Sequence, residues 1–239
     1  MVSILGVPCI VAHHREAISV LIPASAGRPK VDTVGIYEQH MLPRIINVAC
    51  GIKAAGPMRS RVCEGLHGQV VEIGFGSGHN VPFYPASIIS VAAIEPADIG
   101  WRLAAERIAA TTIQIERLGL DGQSLPLADD SCDTALSTWT LCTIPDAAAA
   151  LREVRRVLKP GGTLHFVEHG LAPDEKVQRW QRRLEPVQKR MFGGCHLTRS
   201  ITDLLTAAGF TITEIDVFYE KGAPKSMAAQ SLGIAVAPS

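Results

Sequence analysis

A chain of 239 residues, 47% apolar and 19% charged, is long enough to bury the core of one domain and has the composition of an ordinary globular protein. Its 23 basic and 23 acidic residues cancel, which argues against nucleic acid as a partner, and no apolar run reaches membrane-spanning length. Six cysteines (Cys9, Cys50, Cys63, Cys132, Cys142 and Cys195) include no Cys-x-x-Cys pair, which suits a reducing, cytoplasmic setting and argues against a zinc site.

Ile4–Ala12 is a brief apolar stretch with no basic residue before it, unlike a secretory signal, and Pro23–Pro29 reads as loop. Residues 1–33 are therefore expected to be a disordered extension, and 34–239 a single domain. Within it, 34–66 reads as a helical cap in two pieces. Ile36, His40, Pro43, Ile46 and Cys50 mark a broken apolar face, and Pro57 opens a second helix at a favoured first-turn position. Val70–Ile73 reads as a buried strand running into Gly74, Gly76 and Gly78, with a helix-compatible segment behind. Strand signals at Ser90–Glu95, Thr112–Glu116, Asp133–Trp139 and Thr163–Glu168 alternate with helix signals at Ala97–Ala110 and Asp146–Leu158, the latter closed by Lys159-Pro160-Gly161-Gly162. A helix at Thr198–Ala208 and strands at Thr211–Tyr219 and Leu232–Ala237 follow, the last two joined as a hairpin over Gly222–Ser226. Seven strands in this alternation predict an α/β fold: a three-layer, Rossmann-like sheet, mostly parallel with an antiparallel last strand.

Alternate glycines at a strand's carboxyl end tolerate a left-handed turn and let a ligand lie against bare backbone. Ligands of open α/β sheets bind beyond such strand ends. The spacing excludes two common ligands. A dinucleotide fingerprint wants Gly-x-Gly-x-x-Gly or Ala, and here the third glycine is one residue early, with His79 in the required place. A Tyr-x-x-x-Lys pair is also absent, and no Gly-Lys-Ser or Gly-Lys-Thr follows for a P-loop.

Glu72-x-Gly74-x-Gly76-x-Gly78 resembles the first motif of class I S-adenosylmethionine-dependent methyltransferases. Glu95 and Pro96 end the second strand, 21 residues after Gly74 in the case of Glu95, where a carboxylate can accept from both ribose hydroxyls. Asp121-Gly122, in Gly119–Pro126, resembles the segment whose Asp meets the adenine amino group. Ser137 and Thr138 stand where the family's backbone meets the methionine part of the cofactor, with Trp139 as a cover for the methyl site. Leu151–Gly162 resembles the helix and turn of ubiquinone-type and related members. The resemblance implies S-adenosylmethionine as cofactor, held by Glu72, Gly74, Gly76, Gly78, Asn80, Glu95, Pro96, Asp121, Gly122, Ser137 and Thr138.

The tail narrows the match. Glu168-His169, Gly194-Cys195-His196-Leu197-Thr198-Arg199, Tyr219–Lys225 and Gly233-Ile234-Ala235 look like the methyltransferase-like branch that includes small thiol S-methyltransferases, with His196 where that branch has Asn. The membrane anchor of its animal members is expected to have no counterpart here. The resemblance implies methyl transfer to a small-molecule acceptor, a thiol or a lipophile. Phospholipid N- or quinone C-methylation is the alternative, and a non-catalytic cofactor-binding protein the alternative of another class. His169 is the leading proton acceptor, an imidazole at a strand end, with His196 and Arg199 as groups that could orient the acceptor. Glu175–Arg190 reads as a basic amphipathic helix packing Trp180 and Leu184 inward, the other reading being weak contact with an anionic membrane surface.

Overall fold

A computed structural model describes residues 53–119, 121–191 and 194–239. The expected extension at 1–33 and the first piece of the helical cap lie outside the described residues. The strands are β1 (Gly68–Ile73), β2 (Ile88–Ile94), β3 (Gln114–Gly119), β4 (Cys132–Thr138), β5 (Leu158–His169), β6 (Thr211–Tyr219) and β7 (Ala229–Val236). They form one sheet in the order β3-β2-β1-β4-β5-β7-β6. Pairing is parallel from β3 through to β5, and β7 runs antiparallel to both β5 and β6. The predicted seven-stranded sheet with an antiparallel last strand is thus the observed one. Strand order reverses between β1 and β4, which is where a ligand crevice opens in such sheets.

The helices are α1 (Gly56–Cys63), α2 (Asp98–Ala109), α3 (Ala147–Val157), α4 (Glu175–Met191), α5 (Ile201–Ala207) and the one-turn α6 (Lys225–Ala228) inside the β6–β7 hairpin. Pro57 sits in the first turn of α1, as its fixed φ favours. Asp146 caps α3, its carboxylate accepting from Ala149 N at 2.8 Å. From there Ala147, Ala150, Leu151, Val154 and Val157 make one buried stripe.

The alternation of β1 divides the core. Val71 and Ile73 join Leu151, Val154, Ile201 and Leu205 on the α3–α5 face, while Val70 joins Met58, Val62, Leu136 and Val167 beneath α1. Each such side chain fully withdrawn from water contributes about 1.5–3 kcal/mol.

Three features depart from expectation. The segment after the glycines is a single 3-10 turn, Val81–Phe83, and not a helix; Pro82 and Pro85 remove the donors a helix would need. The Lys159–Gly162 turn belongs to β5. The register jumps from Cys132↔Leu158 to Thr134↔Thr163, so the turn is an excursion within a strand that begins directly after α3. Finally, α4 turns Trp180 outward, 57% exposed, contrary to the inward packing expected of it. Its neighbour Gln181 takes the inner position. Gln181 accepts from Ala172 N at 2.9 Å and donates to Gly170 O at 3.0 Å, satisfying a buried loop backbone that an indole could not. Leu184 is half-buried on that inner side.

Candidate functional site

Strand ends and loops enclose a cavity of about 380 Å3 at the carboxyl edge of the sheet, within the size of small-molecule sites. Its floor is the glycine loop. Gly74, Gly76 and Gly78 all have positive φ (70°, 57° and 73°), yet they do different work. A Cβ on Gly76 would meet nothing nearer than Gly74 O at 3.8 Å, so this glycine bares backbone to the cavity. At Gly74 a Cβ would fall 2.0 Å from Thr140 Oγ1, so the loop is pressed against the chain leaving β4. Gly78 lies off the cavity wall, where a Cβ would crowd Ala104 and Phe75 at 3.2 and 3.3 Å. It is a packing glycine for α2.

Glu95 stands beside Gly76 on the cavity wall and is 6% exposed. Its two carboxylate oxygens accept from Gly76 N and Ala97 N, each at 2.7 Å. A carboxylate oxygen can accept twice, so each keeps a lone pair for a ligand. Burial pushes its carboxyl above the usual range, opposed by those two N–H groups and by Arg117. Arg117 donates from Nε to Glu95 O at 2.9 Å and pairs with Asp98 at 2.7 Å, fixing the strand end from behind.

Pro96, Asp121, Gly122 and Thr138 also line the cavity, as the sequence motifs led us to expect. Asp121 is exposed and accepts from Gln123 N at 2.8 Å and Gln123 Nε2 at 3.1 Å, an Asx turn that sets the rim.

Besides Gly78, three more expected ligand residues lie behind the wall. Glu72, 1% exposed, accepts from Asn80 Nδ2 at 2.9 Å and from the Tyr84 hydroxyl. Burial pushes it up to about 7, against the pull of Tyr84, Asn80 and Arg59. Asn80 also donates to Thr138 Oγ1 at 3.0 Å and accepts from Arg59 Nη1 at 2.5 Å. It ties the glycine loop to β4 and α1. Ser137 donates to Glu168 at 2.6 Å. For Glu72 and Ser137 the side chains leave their strands into the sheet's packing layers and not along the strand axis, whereas Asn80, in the loop, is held there by its bonds to Glu72, Thr138 and Arg59.

His169 is likewise away from the cavity. Gln230 accepts from Trp139 Nε1 at 3.0 Å, which turns its amide nitrogen to His169 Nε2 at 3.1 Å. That ring nitrogen therefore accepts a hydrogen bond from the amide, and burial lowers the imidazole to about 4. His169 is a neutral prop for Trp139. His196 is also off the wall: its Nδ1 lies 3.2 Å from Glu185, and its N–H bonds Cys142 O at 2.8 Å. Arg199 donates to Leu141 O at 2.5 Å and Ile144 O at 2.8 Å, bracing the wall without entering the cavity.

Sequence reasoning missed two organisers of the site. Glu168, fully buried at the end of β5, accepts from Ser137 Oγ and from the N–H groups of Thr140 and Cys142 at 3.0 and 3.2 Å. It holds the loop in which Trp139, a non-glycine residue at φ 51°, lines the cavity. Arg59, from α1, reaches the wall and stacks 4.7 Å over the Trp139 ring. The signal for Glu168 was its place at a strand's carboxyl end. Arg59 carried none, because nothing in a sequence places a cap helix over a distant strand.

Residues 71–166 match a family described as a methyltransferase domain. Thiol S-methyltransferase TMT1B of Rattus norvegicus is 35% identical over 151 residues, 62% of this chain and 62% of its own. Thiol S-methyltransferase TMT1A of Homo sapiens is 35% identical over 146 residues, 59% of each chain. The alignments thus span less than two thirds of these relatives' length. A SAM-dependent methyltransferase from Aquifex aeolicus shares the fold with a TM-score of 0.60, over 82% of this chain and 98% of that one, at 17% identity. Residues 71–166 thus match a methyltransferase-domain family, and the sheet order belongs to a fold shared with a solved SAM-dependent methyltransferase.

Proposed function

We propose that the protein transfers a methyl group from S-adenosylmethionine to a small acceptor, preferentially a thiol. The observation that carries the cofactor reading is the pairing, on one cavity wall, of the bared backbone of Gly76 with the buried carboxylate of Glu95. The first fits a ligand that lies against the chain, and the second fits a vicinal diol. Pro96, Asp121, Gly122 and Thr138 would complete the cradle. Such a cofactor supplies an electrophilic methyl group on a sulfonium, so the chain's own task is to align the acceptor and exclude water.

Another part of the cavity lining favours a thiol. Trp139 and Ile144 present apolar surface, and the Arg59 guanidinium on Trp139 is the cation that would draw a bound thiol toward thiolate. A thiolate is nucleophilic without a dedicated base, which agrees with His169 standing off the wall. The thiol S-methyltransferases among the relatives support the same acceptor class. The buried free thiols of Cys63, Cys132, Cys142 and Cys195 support a reducing, cytoplasmic setting. No helix among the described residues is long and apolar enough to cross a membrane.

A transfer screen with alkyl thiols, amines, phenols, quinols and phosphatidylethanolamine, read by demethylated cofactor and methylated product, tests the acceptor. Thiols are expected to turn over fastest, and Arg59→Met to raise the pH at which they do so. Product from amines or quinols alone would move the reading to the phospholipid or quinone class. Cofactor binding without transfer to any acceptor would leave a non-catalytic binding protein.

A further inference from the structure

In a chain of zero net charge, the 17 residues of α4 carry six basic residues against two acidic ones. Glu185, one of the acids, faces inward and is engaged by Lys189, His196 and Thr198. Glu175, the other acid, is exposed at the helix start, and the rest of the charge on the solvent side comes from Lys176, Arg179, Arg182, Arg183 and Arg190, all exposed and none paired with an acid among the described residues. Between them stand Trp180 and Val187, each 57% exposed. Residues 176, 180, 183, 187 and 190 recur at helical spacing and so share one face. The Arg183 guanidinium lies 5.4 Å from the Trp180 ring, a pairing that leaves both at the surface.

We propose that this face of α4 docks on an anionic lipid bilayer. Basic groups flanking an exposed indole and an aliphatic side chain match a surface that offers phosphate or carboxylate at one depth and hydrocarbon just below. A nucleic-acid duplex meets the charges but gives Trp180 and Val187 no apolar phase to enter, and the neutral chain supplies no wider basic field. Docking here would bring the cavity close to the membrane. The chain leaving α4 is tied to the cavity wall through His196 N to Cys142 O and Arg199 to Leu141 O and Ile144 O, and Ile144 itself lines the cavity. The proposal does not depend on which acceptor is methylated.

The test is co-sedimentation of the full chain with vesicles of phosphatidylcholine, alone or mixed with phosphatidylserine, at low and high salt. Binding is expected to the mixed vesicles only and to weaken with salt. Each basic residue neutralised on the face should lower partitioning about fivefold, so that the triple change Lys176→Gln, Arg183→Gln, Arg190→Gln loses about a hundredfold. Trp180→Ala should weaken binding while leaving its salt dependence in place. Absence of binding to mixed vesicles overturns the proposal, and so does binding that the triple variant keeps. Displacement of vesicles by duplex DNA at equal phosphate concentration overturns it in favour of a general polyanion site. Calorimetric cofactor affinity of the same variants, expected unchanged, separates failure of this surface from failure of the fold or of the methyltransferase reading.

Discussion

Replacing Gly74 by Ala should destabilise the protein by about 2–5 kcal/mol, and the structure says where that cost arises. At φ 70° an L-residue loses about 1–2 kcal/mol to its own backbone. The new Cβ would also fall 2.0 Å from Thr140 Oγ1, 2.4 Å from Cγ2 and 2.7 Å from Cβ, an overlap of the kind that costs about 1–3 kcal/mol. Thr140 cannot step aside cheaply. Its N–H bonds Glu168 at 3.0 Å, its hydroxyl bonds Thr138 O at 3.1 Å, and its carbonyl accepts from Thr143 N at 2.9 Å. Urea denaturation of Gly74→Ala, Thr140→Gly and the double variant separates the two terms. In the Thr140→Gly background only the backbone cost should remain, giving a coupling of about 1–3 kcal/mol. Equal cost in both backgrounds would refute the clash, and a cost below about 0.5 kcal/mol would refute the left-handed loop itself.

Glu95→Ala should weaken binding of S-adenosylmethionine by about 1–3 kcal/mol through unpaired ribose hydroxyls, measured by calorimetry; unchanged affinity would remove Glu95 from the site. Glu72 holds its proton more tightly folded than unfolded, so its contribution to stability is full below about 4.5 and is lost as pH rises toward about 7. The loss is worth about 3 kcal/mol, and Glu72→Gln should flatten denaturation midpoints across that window; a variant with the wild-type pH slope would contradict the burial assigned to Glu72. Glu168→Gln should cost about 1–3 kcal/mol for each N–H or O–H left facing an amide nitrogen, and should change the fluorescence of Trp139; a variant as stable as the parent would mean the loop is held by other contacts.

Much of the architecture was legible because burial on both faces of a parallel sheet leaves short apolar runs between turn residues. β6 was read to the residue, and the antiparallel β7 followed from the hairpin spacing. The errors have physical sources. Pro82 and Pro85 break a segment whose glycine context suggested a helix start, and the Lys159–Gly162 terminator sits inside β5 because a strand can absorb a bulge. Trp180 was misplaced because side-chain hydrophobicity ranked it above Gln181, whereas the loop backbone at Gly170 and Ala172 needed an amide. At the site, the residues that present backbone or rim (Gly74, Gly76, Glu95, Pro96, Asp121, Gly122, Thr138) could be found from motif spacing. Glu72, Asn80 and Ser137 carry the same motif signal but turn into supporting hydrogen bonds, a distinction set by strand alternation and by partners far along the chain.

Calorimetric titration with S-adenosylmethionine, S-adenosylhomocysteine and NAD tests the central claim most directly. Both adenosyl compounds should bind, at one site per chain and with affinity reduced in Glu95→Ala, while NAD gives no heat. Binding of NAD with neither adenosyl compound would contradict it.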